Sequence, residues 1–387
     1  RMLAPRVGKG FCLAVTGDGV CLGNWQKPLM MDNTDFPYWK LTLDRDALAD
    51  EIRYKYVIVN QSTGEIASWE QRPDRVVALP HLDAESLQII LNDEKFSYPV
   101  GDFKAAGVAV PIFSLRSEEG FGVGEFNDMR KLVDWCVATG LKMIQVLPVN
   151  ETVATHSWLD SYPYKSISVM ALHPMYLHLP AMGKLKDKAK AAEFEALQER
   201  LNSLSYVDYV AMFRAKARYF KLIFDQNWPK VSKTSEYRKF FEENVSWLKP
   251  YAAFCYLRDQ YKTSDFREWN EFAVYDPKKI EKLCDPANNF YEHIAVHYFI
   301  QFHLDKQLRD ALDYAHSKGV AIKGDIPIGI SPNSIEAWTE PVYFNLNAQA
   351  GAPPDDFAVM GQNWGFPTYN CKKWQRMTIA GGRKDWV

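Results

Sequence analysis

Acidic residues at the ends of apolar segments are the part of this sequence best suited to chemistry. Asp325 follows the apolar segment Val320 to Ile322, within Lys323-Gly-Asp-Ile-Pro-Ile-Gly-Ile330. A charged side chain at the carboxyl end of a barrel strand is placed to face a ligand. An aspartate there can equally cap the loop that follows. The residues alone leave both interpretations open.

A second group of polar and aromatic side chains follows Asp355, which ends the turn Gly351-Ala-Pro-Pro-Asp355. Gln362 and Trp364 lie a few residues further on. Amide groups offer hydrogen bonds to hydroxyls, and an indole ring stacks on the apolar face of a pyranose. This combination is typical of a sugar subsite. The 12 Trp, 20 Tyr and 22 Phe of the chain agree with sugar binding, although a large aromatic core would explain them too.

Two other segments look like cofactor- or metal-binding motifs, but each lacks a residue that the motif requires. Gly120-Phe-Gly-Val-Gly124 has Glu125 where a dinucleotide loop needs its third glycine, and no Glu follows His293 in His293-Ile-Ala-Val-His297. The six cysteines form neither a C-x-x-C pair nor a zinc-type cluster, so we expect reduced thiols in a cytoplasmic protein. The motifs therefore predict no metal and no nucleotide cofactor.

Composition excludes two classes of partner. The 387 residues include 46 Lys plus Arg and 48 Asp plus Glu, for a formal net charge of −2 and no basic block. Nucleic-acid binding needs clustered basic residues, so it is not expected. The longest apolar stretches, such as Gly107 to Phe113, are far shorter than the roughly 20 residues of a membrane helix.

The pattern of the elements changes near residue 100. Short alternating segments between Gly10 and Leu91 predict a small β-sandwich, which we place in residues 1–100. Residues 101–387 instead alternate buried strands with helices.

That second part begins as a βαβ unit. Gly107 to Phe113 and Leu141 to Val149 are predicted strands buried on both faces, with a helix over Glu125 to Thr139 that ends at Gly140. A helical segment from about 185 to about 318 follows, and Val320 to Ile330 is predicted as a third buried strand.

Seven segments resemble the 4-α-glucanotransferases of glycoside hydrolase family 77, the amylomaltases. They are Gly107-Val-Ala-Val-Pro-Ile-Phe-Ser-Leu-Arg-Ser117, Gly122-Val-Gly-Glu-Phe126, Leu147-Pro-Val-Asn150, Asp160-Ser-Tyr-Pro-Tyr164, Trp247-Leu-Lys-Pro-Tyr251, Lys323-Gly-Asp-Ile-Pro-Ile-Gly329 and Gly361-Gln-Asn-Trp-Gly-Phe-Pro-Thr-Tyr-Asn370. The resemblance implies a multi-domain chain whose second domain is part of a (β/α)8 TIM barrel with a large helical insertion. It implies retaining transfer of α-1,4-glucan segments between sugars.

The same resemblance implies two sets of site residues. The front domain looks like a family 20 carbohydrate-binding module, whose starch-binding positions map to Trp25, Lys55, Trp69, Glu70 and Asp74. Trp39, within a strand, is more credible as a core residue. In the second domain, the matching substrate-binding positions are Tyr164, Asp325, Asp355, Gln362 and Trp364. The implied partners are maltose, malto-oligosaccharides, glycogen and starch.

The catalytic residues themselves have no match. The family's Arg-Ile-Asp-His string is absent, and Asp385 is the single carboxylate after Asp356. We therefore expect the nucleophile and the acid/base to lie beyond this sequence, and an earlier binding module to be missing from its start. Residues 371–387 do not follow the family pattern, as a frameshift would produce. Two alternatives stay open, a chain that only binds α-glucan and a glucan hydrolase.

Overall fold

The computed structural model describes residues 1–80, 88–93, 95–99 and 105–373. The chain divides into two compact units, Arg1–Lys104 and Ala105–Val387, which are described separately. The boundary predicted between residues 100 and 101 and most of the predicted tail lie outside the described residues. Within the described residues, no helix is long and apolar enough to cross a membrane.

The front unit is built from antiparallel strands. Its strands are β1 (Met2–Leu3), β2 (Phe11–Gly17), β3 (Leu29–Met30), β4 (Tyr38–Trp39), β5 (Glu51–Asn60), β6 (Ile66–Trp69) and β7 (Arg75–Ala78), with 3-10 turns at Val20–Trp25 and Arg45–Ala47. One sheet has the order β3-β2-β5-β6, with β7 also paired to β5, and β1 pairs with β4. The two sheets agree with the predicted β-rich module, and their arrangement as a sandwich stays a prediction. The strand predicted over residues 87–91 is not present in residues 88–91, which have no ladder partner.

Alternation along β5 creates the core of this unit. Ile52, Tyr54 and Tyr56 are buried in one cluster, as expected for side chains that share a face of a strand. Val57 points to the other face and is fully buried in a second, smaller cluster. The sheet therefore buries apolar side chains on both faces near its centre.

The second unit carries a short parallel sheet and many helices. Its strands are β8 (Gly107–Ala109), β9 (Met143–Gln145), β10 (Ala321–Lys323), β11 (Phe344–Ala352) and β12 (Gln362–Tyr369). Its helices are α1 (Asp128–Thr139), α2 (Lys188–Asn202), α3 (Tyr209–Val231), α4 (Ser235–Tyr261), α5 (Pro277–Leu283), α6 (Tyr291–Ser317) and α7 (Ile335–Thr339). Its 3-10 turns are Ile112–Ser114, Trp158–Ser161, Pro174–Tyr176, Leu179–Met182, Phe266–Glu268, Asn270–Phe272 and Pro341–Tyr343.

The three strands predicted from apolar segments form one parallel sheet in the order β10-β9-β8. Ile144 of β9 pairs with Val108 on one side and with Ile322 on the other. The strands are shorter than predicted, since Pro111 and Pro148 follow them closely and lack the backbone N–H that a ladder needs. A closed barrel stays a prediction.

The expectation that these strands are buried on both faces is wrong for β8 and β10. Ile144 is buried, but the residues at the ends of β8 and β10 are exposed. Side chains alternate along a strand, so the central residues face the helices while the others face the opposite side of the sheet. In the described part of the chain, that opposite side has little cover.

Helices α2 to α6 lie between β9 and β10, where the sequence predicts a helical segment. Helix α1 ends at Gly140, whose φ of +77° is a left-handed conformation that glycine adopts without strain, as the sequence predicts. Its N–H donates to the carbonyls of Cys136 and Val137. The core of this unit is formed by apolar faces of these helices around β9.

Candidate functional site

Trp69, which is exposed, and Trp25, which is partly buried, form an aromatic platform on the front unit. Trp25 lies in the 3-10 turn after β2, and Trp69 is the last residue of β6. Their ring centroids are 6.5 Å apart with an interplanar angle of 28°. Nε1 of Trp25 donates to Oδ1 of Asp18 at 2.7 Å, which fixes the orientation of this ring. The platform combines a flat apolar surface with adjacent polar groups, as sugar binding requires.

Lys55 belongs to the same face of the sheet as Trp69. Val57 is directly opposite Trp69 in the ladder, and Lys55 lies two residues before Val57, so the three side chains share a face. Nζ of Lys55 is 3.5 Å from Oδ1 of Asp74, so both charges are positioned beside each other.

Glu70 does not join this face, which corrects the prediction that it offers a sugar contact. It follows Trp69 directly, and its side chain is fully buried. Nη2 and Nε of Arg75 donate to its two oxygens at 2.7 and 3.1 Å, and the N–H of Ser97 donates to Oε1 at 3.1 Å. The carboxylate therefore holds Arg75 and the segment around Ser97 beneath the sheet.

The second unit joins Tyr164 and Asp325 across 161 residues of sequence. Asp325 lies two residues beyond β10, and Oδ2 accepts the Tyr164 hydroxyl at 2.8 Å. Oδ1 accepts the N–H of Ile326 at 2.9 Å. One oxygen of Asp325 thus caps the loop, as the second interpretation has it, and the other accepts a hydrogen bond from Tyr164. That Asp325 faces a ligand stays a prediction. The hydrogen bond to Asp325, with a smaller effect of burial, raises the pKa of Tyr164.

The other predicted residues lie on the β11–β12 hairpin. Oδ1 of Asp355 accepts the N–H groups of Phe357 and Ala358 at 2.9 and 2.6 Å, so this carboxylate caps the turn between the strands. On β12, Nε1 of Trp364 donates to Oε1 of Gln362 at 3.1 Å, and the indole ring is 49% exposed.

The hairpin contacts the loop that carries Asp325. The hydroxyl of Tyr369 donates to the carbonyl of Ile328 at 2.6 Å. Phe366 packs on Gly329, where a Cβ would lie 2.4 Å from the ring. Any side chain at Gly329 would therefore displace β12 from this loop.

Sequence reasoning missed a group of buried polar residues around Glu151. Glu151 is 2% exposed and accepts the N–H groups of Thr152 and Val153 at 3.0 and 2.9 Å and the Tyr251 hydroxyl at 2.9 Å. Burial raises the pKa of Glu151 to about 7. Gln301 of α6 adds hydrogen bonds to both the N–H and the carbonyl of Leu172. A signal was available for Gln301, because it interrupts an otherwise apolar face of α6. Glu151 lies outside the helices and gave no such signal.

The described residues hold no group of three or more His, Cys, Asp or Glu side chains arranged to bind a metal ion. Exposed aromatic rings beside polar groups are typical of carbohydrate-binding proteins. In the order of the chain, a unit of antiparallel strands precedes a β/α unit.

Comparison with known proteins identifies the family. A model described as 4-alpha-glucanotransferase, glycoside hydrolase family 77, matches residues 110–380, and a model described as starch binding domain matches residues 3–89. The chain belongs to the 4-alpha-glucanotransferase family, glycoside hydrolase family 77, and carries a starch-binding domain in front. The first match runs ten residues into the tail that we expected to depart from the family pattern.

Individual relatives agree with this assignment. The chain is 40% identical over 382 residues to 4-alpha-glucanotransferase DPE2 of Oryza sativa subsp. japonica, covering 97% of this chain and 39% of the rice protein. It is 34% identical over 277 residues to a 4-alpha-glucanotransferase of Chlamydia trachomatis, covering 70% of this chain and 50% of that protein. The chain thus spans half or less of the length of these two relatives.

A solved structure resembles much of this chain. The amylomaltase from Streptococcus agalactiae in complex with acarbose superposes with a TM-score of 0.57 at 26% identity, covering 72% of this chain and 55% of that one.

Proposed function

We propose that the protein is a 4-α-glucanotransferase that acts on α-1,4-glucans, with its front unit binding the polymer. The observation that carries the proposal is the hydrogen bond between Tyr164 and Asp325 beyond β10, within the segment that matches the family. The similar amylomaltase from Streptococcus agalactiae was solved in complex with acarbose, which supports a sugar-binding cleft in this unit.

The residues of the proposed cleft would contact a glucan in different ways. Tyr164 offers a ring for stacking on a glucose unit, and Asp325 is a hydrogen-bond acceptor for its hydroxyls. Asp355, Gln362 and Trp364 are proposed to line the same cleft, since β12 contacts the loop that carries Asp325.

Neither Asp325 nor Asp355 is proposed as the nucleophile. Retaining transfer needs two carboxyl groups about 5–5.5 Å apart, one of which is free to attack the anomeric carbon. Oxygens of both aspartates instead accept local backbone N–H groups. We assign these two residues to binding and no residue of this sequence to covalent catalysis.

The front unit is proposed to bind glycogen or starch through Trp25 and Trp69, with Lys55 and Asp74 beside the platform. The stacking angle of 28° supports this, because the two rings present nearly continuous apolar surface to adjacent glucose units. The free state of the six cysteines supports a reducing, cytoplasmic location.

One preparation of the 387-residue chain tests the proposal and its alternatives. The chain is incubated with maltotriose while glucose and longer oligosaccharides are followed, and its retention on immobilised glycogen is measured in parallel. A ladder of longer products supports transfer and would show that a catalytic pair exists that we did not identify. Glucose and maltose without longer products would favour hydrolysis. Retention without turnover would agree with the assignment of no covalent catalysis to residues of this sequence, as the binding-only alternative also requires. Absence of both would contradict the proposal.

A further inference from the structure

The loop that carries Tyr164 begins at a residue in an unusual conformation. His156 has a φ of +54°, in the left-handed region that residues other than glycine seldom occupy. Such a residue persists where surrounding contacts determine it, and it often marks a functional segment. Nε2 of His156 lies 2.9 Å from Oδ1 of Asp259, on α4. A contact 103 residues away in sequence thus holds this backbone conformation.

Asp259 is itself held by its neighbour in sequence. Nε of Arg258 donates to Oδ1 of Asp259 at 2.8 Å, and Nη1 of Arg258 donates to the carbonyl of Val153 at 2.5 Å. Arg258 is 5% exposed. Burial alone would raise the pKa of Asp259, but the Arg258 charge and the His156 contact lower it below its usual range. The carboxylate is therefore charged wherever the protein is folded at neutral pH.

The other end of the loop is held by hydrogen bonds between its own residues. Both carboxylate oxygens of Asp160 accept the N–H of Thr155, at 3.1 and 3.0 Å, and the Thr152 hydroxyl donates to the Asp160 carbonyl at 2.5 Å. Trp158 lies between these points and Tyr162 lies beyond Asp160, and they are 68% and 55% exposed. Val153 and His156 connect this part of the loop to Arg258 and Asp259 of α4 by hydrogen bonds.

We propose that Arg258 and Asp259 of α4 are positioning residues for the glucan cleft, which hold the loop through the Val153 carbonyl and the His156 ring so that Tyr164 stays on Asp325. This inference rests on the proposed function of that cleft. By this proposal, the helical insertion orients the loop that carries Tyr164, which the short strand β9 could not orient by itself.

The alternative is that the contact merely adds to the stability of the fold. His156 and Asp259 have side chains that are 50% and 42% exposed, and exposed ion pairs contribute at most about 1 kcal/mol to stability. Loss of their contact should therefore leave global unfolding nearly unchanged. A local effect on the loop and on glucan affinity would then be diagnostic of positioning.

The experiment compares His156→Ala with His156→Gln, because the glutamine amide can donate from nearly the same place as Nε2. Both are made in the full chain with Trp69→Ala, which disables the front platform. Maltoheptaose affinity is measured by calorimetry, hydrogen exchange is followed over residues 153–164, and thermal unfolding serves as the global readout. The matched control is His316→Ala, an exposed histidine in the last turn of α6.

We expect His156→Ala to weaken maltoheptaose binding about five- to tenfold and to accelerate exchange in the loop, with a shift in unfolding temperature no larger than that of the control. His156→Gln should restore affinity to within about twofold. Asp259→Asn, which leaves the backbone at His156 untouched, should reproduce the effects of the alanine variant.

Unchanged loop exchange and affinity in both His156→Ala and Asp259→Asn would overturn the proposal, as would a glutamine variant no better than alanine. If the Trp69→Ala parent fails to bind maltoheptaose, the cleft assignment under the proposed function is wrong. In that case, accelerated hydrogen exchange in His156→Ala would still support the conclusion that His156 holds the loop in place. Unchanged exchange would reject that conclusion.

Discussion

At the scale of single residues, the last residue of β6 and the residue that follows it have opposite roles. Trp69 is 41% exposed, whereas Glu70 is buried against Arg75. Consecutive side chains of an extended strand point to opposite faces, so a motif that assigns both residues to one surface conflicts with strand geometry. The alternation rule applied to the sequence would have removed Glu70 from the predicted site. Trp39, 1% exposed, is a core residue as expected.

The hydroxyl of Tyr164 can be separated from its ring by substitution. Tyr164→Phe keeps the stacking surface but leaves Oδ2 of Asp325 without this donor. Because hydrogen bonds to a charged group contribute about 1.5–3 kcal/mol, and this pair is partly solvated, we expect maltoheptaose affinity to fall about three- to tenfold. Calorimetry in the Trp69→Ala background measures it. Tyr162→Phe is the control on the same loop, and an equal loss there would argue against a specific role for the Tyr164–Asp325 pair.

The environment of His173 predicts that the second unit loses stability in acid. Its Nδ1 accepts the N–H of Met175 at 3.0 Å and Nε2 lies 3.0 Å from the Tyr209 hydroxyl. Burial, and then the Lys216 charge, lower its pKa to about 3. The unfolded chain, with a pKa near 6.5, binds the proton first as pH falls. This contribution to stability is therefore complete above about pH 6.5 and is lost progressively towards pH 3.

His173→Asn tests this contribution, because asparagine can still accept the Met175 N–H. We expect lower stability at pH 7 by about 1–3 kcal/mol. Between pH 6.5 and 4 its stability should depend on pH less steeply, by up to about 1.4 kcal/mol per pH unit. Urea unfolding across this range measures both quantities. His316→Asn is the exposed control, and parallel curves for His173→Asn and the parent would contradict the prediction.

At the scale of elements, a buried lysine joins α3 to two other segments. Lys216 is fully buried, and Nζ donates to Oε1 of Glu125 at 2.5 Å and to the carbonyls of Met175 and Leu177 at 2.6 and 2.7 Å. Nδ1 of His178 contacts the other oxygen of Glu125 at 2.7 Å. The Gly-Val-Gly-Glu-Phe turn and the chain before α2 are thus tied to one helix.

Lys216→Met should destabilise the second unit by about 3–5 kcal/mol, because it leaves Glu125 buried without its cation. Adding Glu125→Gln should recover part of that loss, since no uncompensated charge then remains. Urea unfolding of the single and double variants measures the coupling. The control is Lys221→Met, which removes an exposed ion pair with Asp225 on the same helix. We expect it to change the free energy of unfolding by less than about 0.5 kcal/mol. A small effect at Lys216, or a double variant that is worse than the single, would refute the argument.

Helices were more predictable than strands, for a physical reason. The amphipathic period of α1 and its terminal glycine are local signals, so its end at Thr139 follows from sequence. Strand pairing depends on distant residues, as in Ile144 opposite Ile322. The β11–β12 hairpin was missed although Phe344 to Ala350 alternate apolar and polar residues. Its second strand lacks such alternation and contains Pro367, and the register shifts near Gln349. Tyr164 and Asp325 were found through motifs, whereas their contact required the fold.

At the scale of the whole molecule, each unit has its own hydrophobic core. One contains Trp39, Tyr54 and Phe96, and the other contains Trp269 and Trp338, with no residue shared among the described residues. The starch-binding match and the glucanotransferase match fall on different units. The proposed function places a binding region on each unit, and two linked regions that bind the same polymer hold it more tightly than either region alone.

This arrangement predicts that the two binding regions respond differently to ligand length. A short oligosaccharide engages one region at a time, while glycogen can engage both, so Trp69→Ala should lower glycogen retention at least about tenfold and leave maltotriose binding at the cleft within about twofold. Tyr164→Ala should weaken maltotriose binding and reduce glycogen retention less than Trp69→Ala does. Trp135→Ala, an exposed tryptophan on α1, is the matched control. Affinity electrophoresis in glycogen and calorimetry with maltotriose supply the readouts. Equal losses of glycogen retention and of maltotriose binding at the cleft in Trp69→Ala would mean that the platform and the cleft do not bind independently, because an independent platform cannot change the affinity for a trisaccharide bound at the cleft.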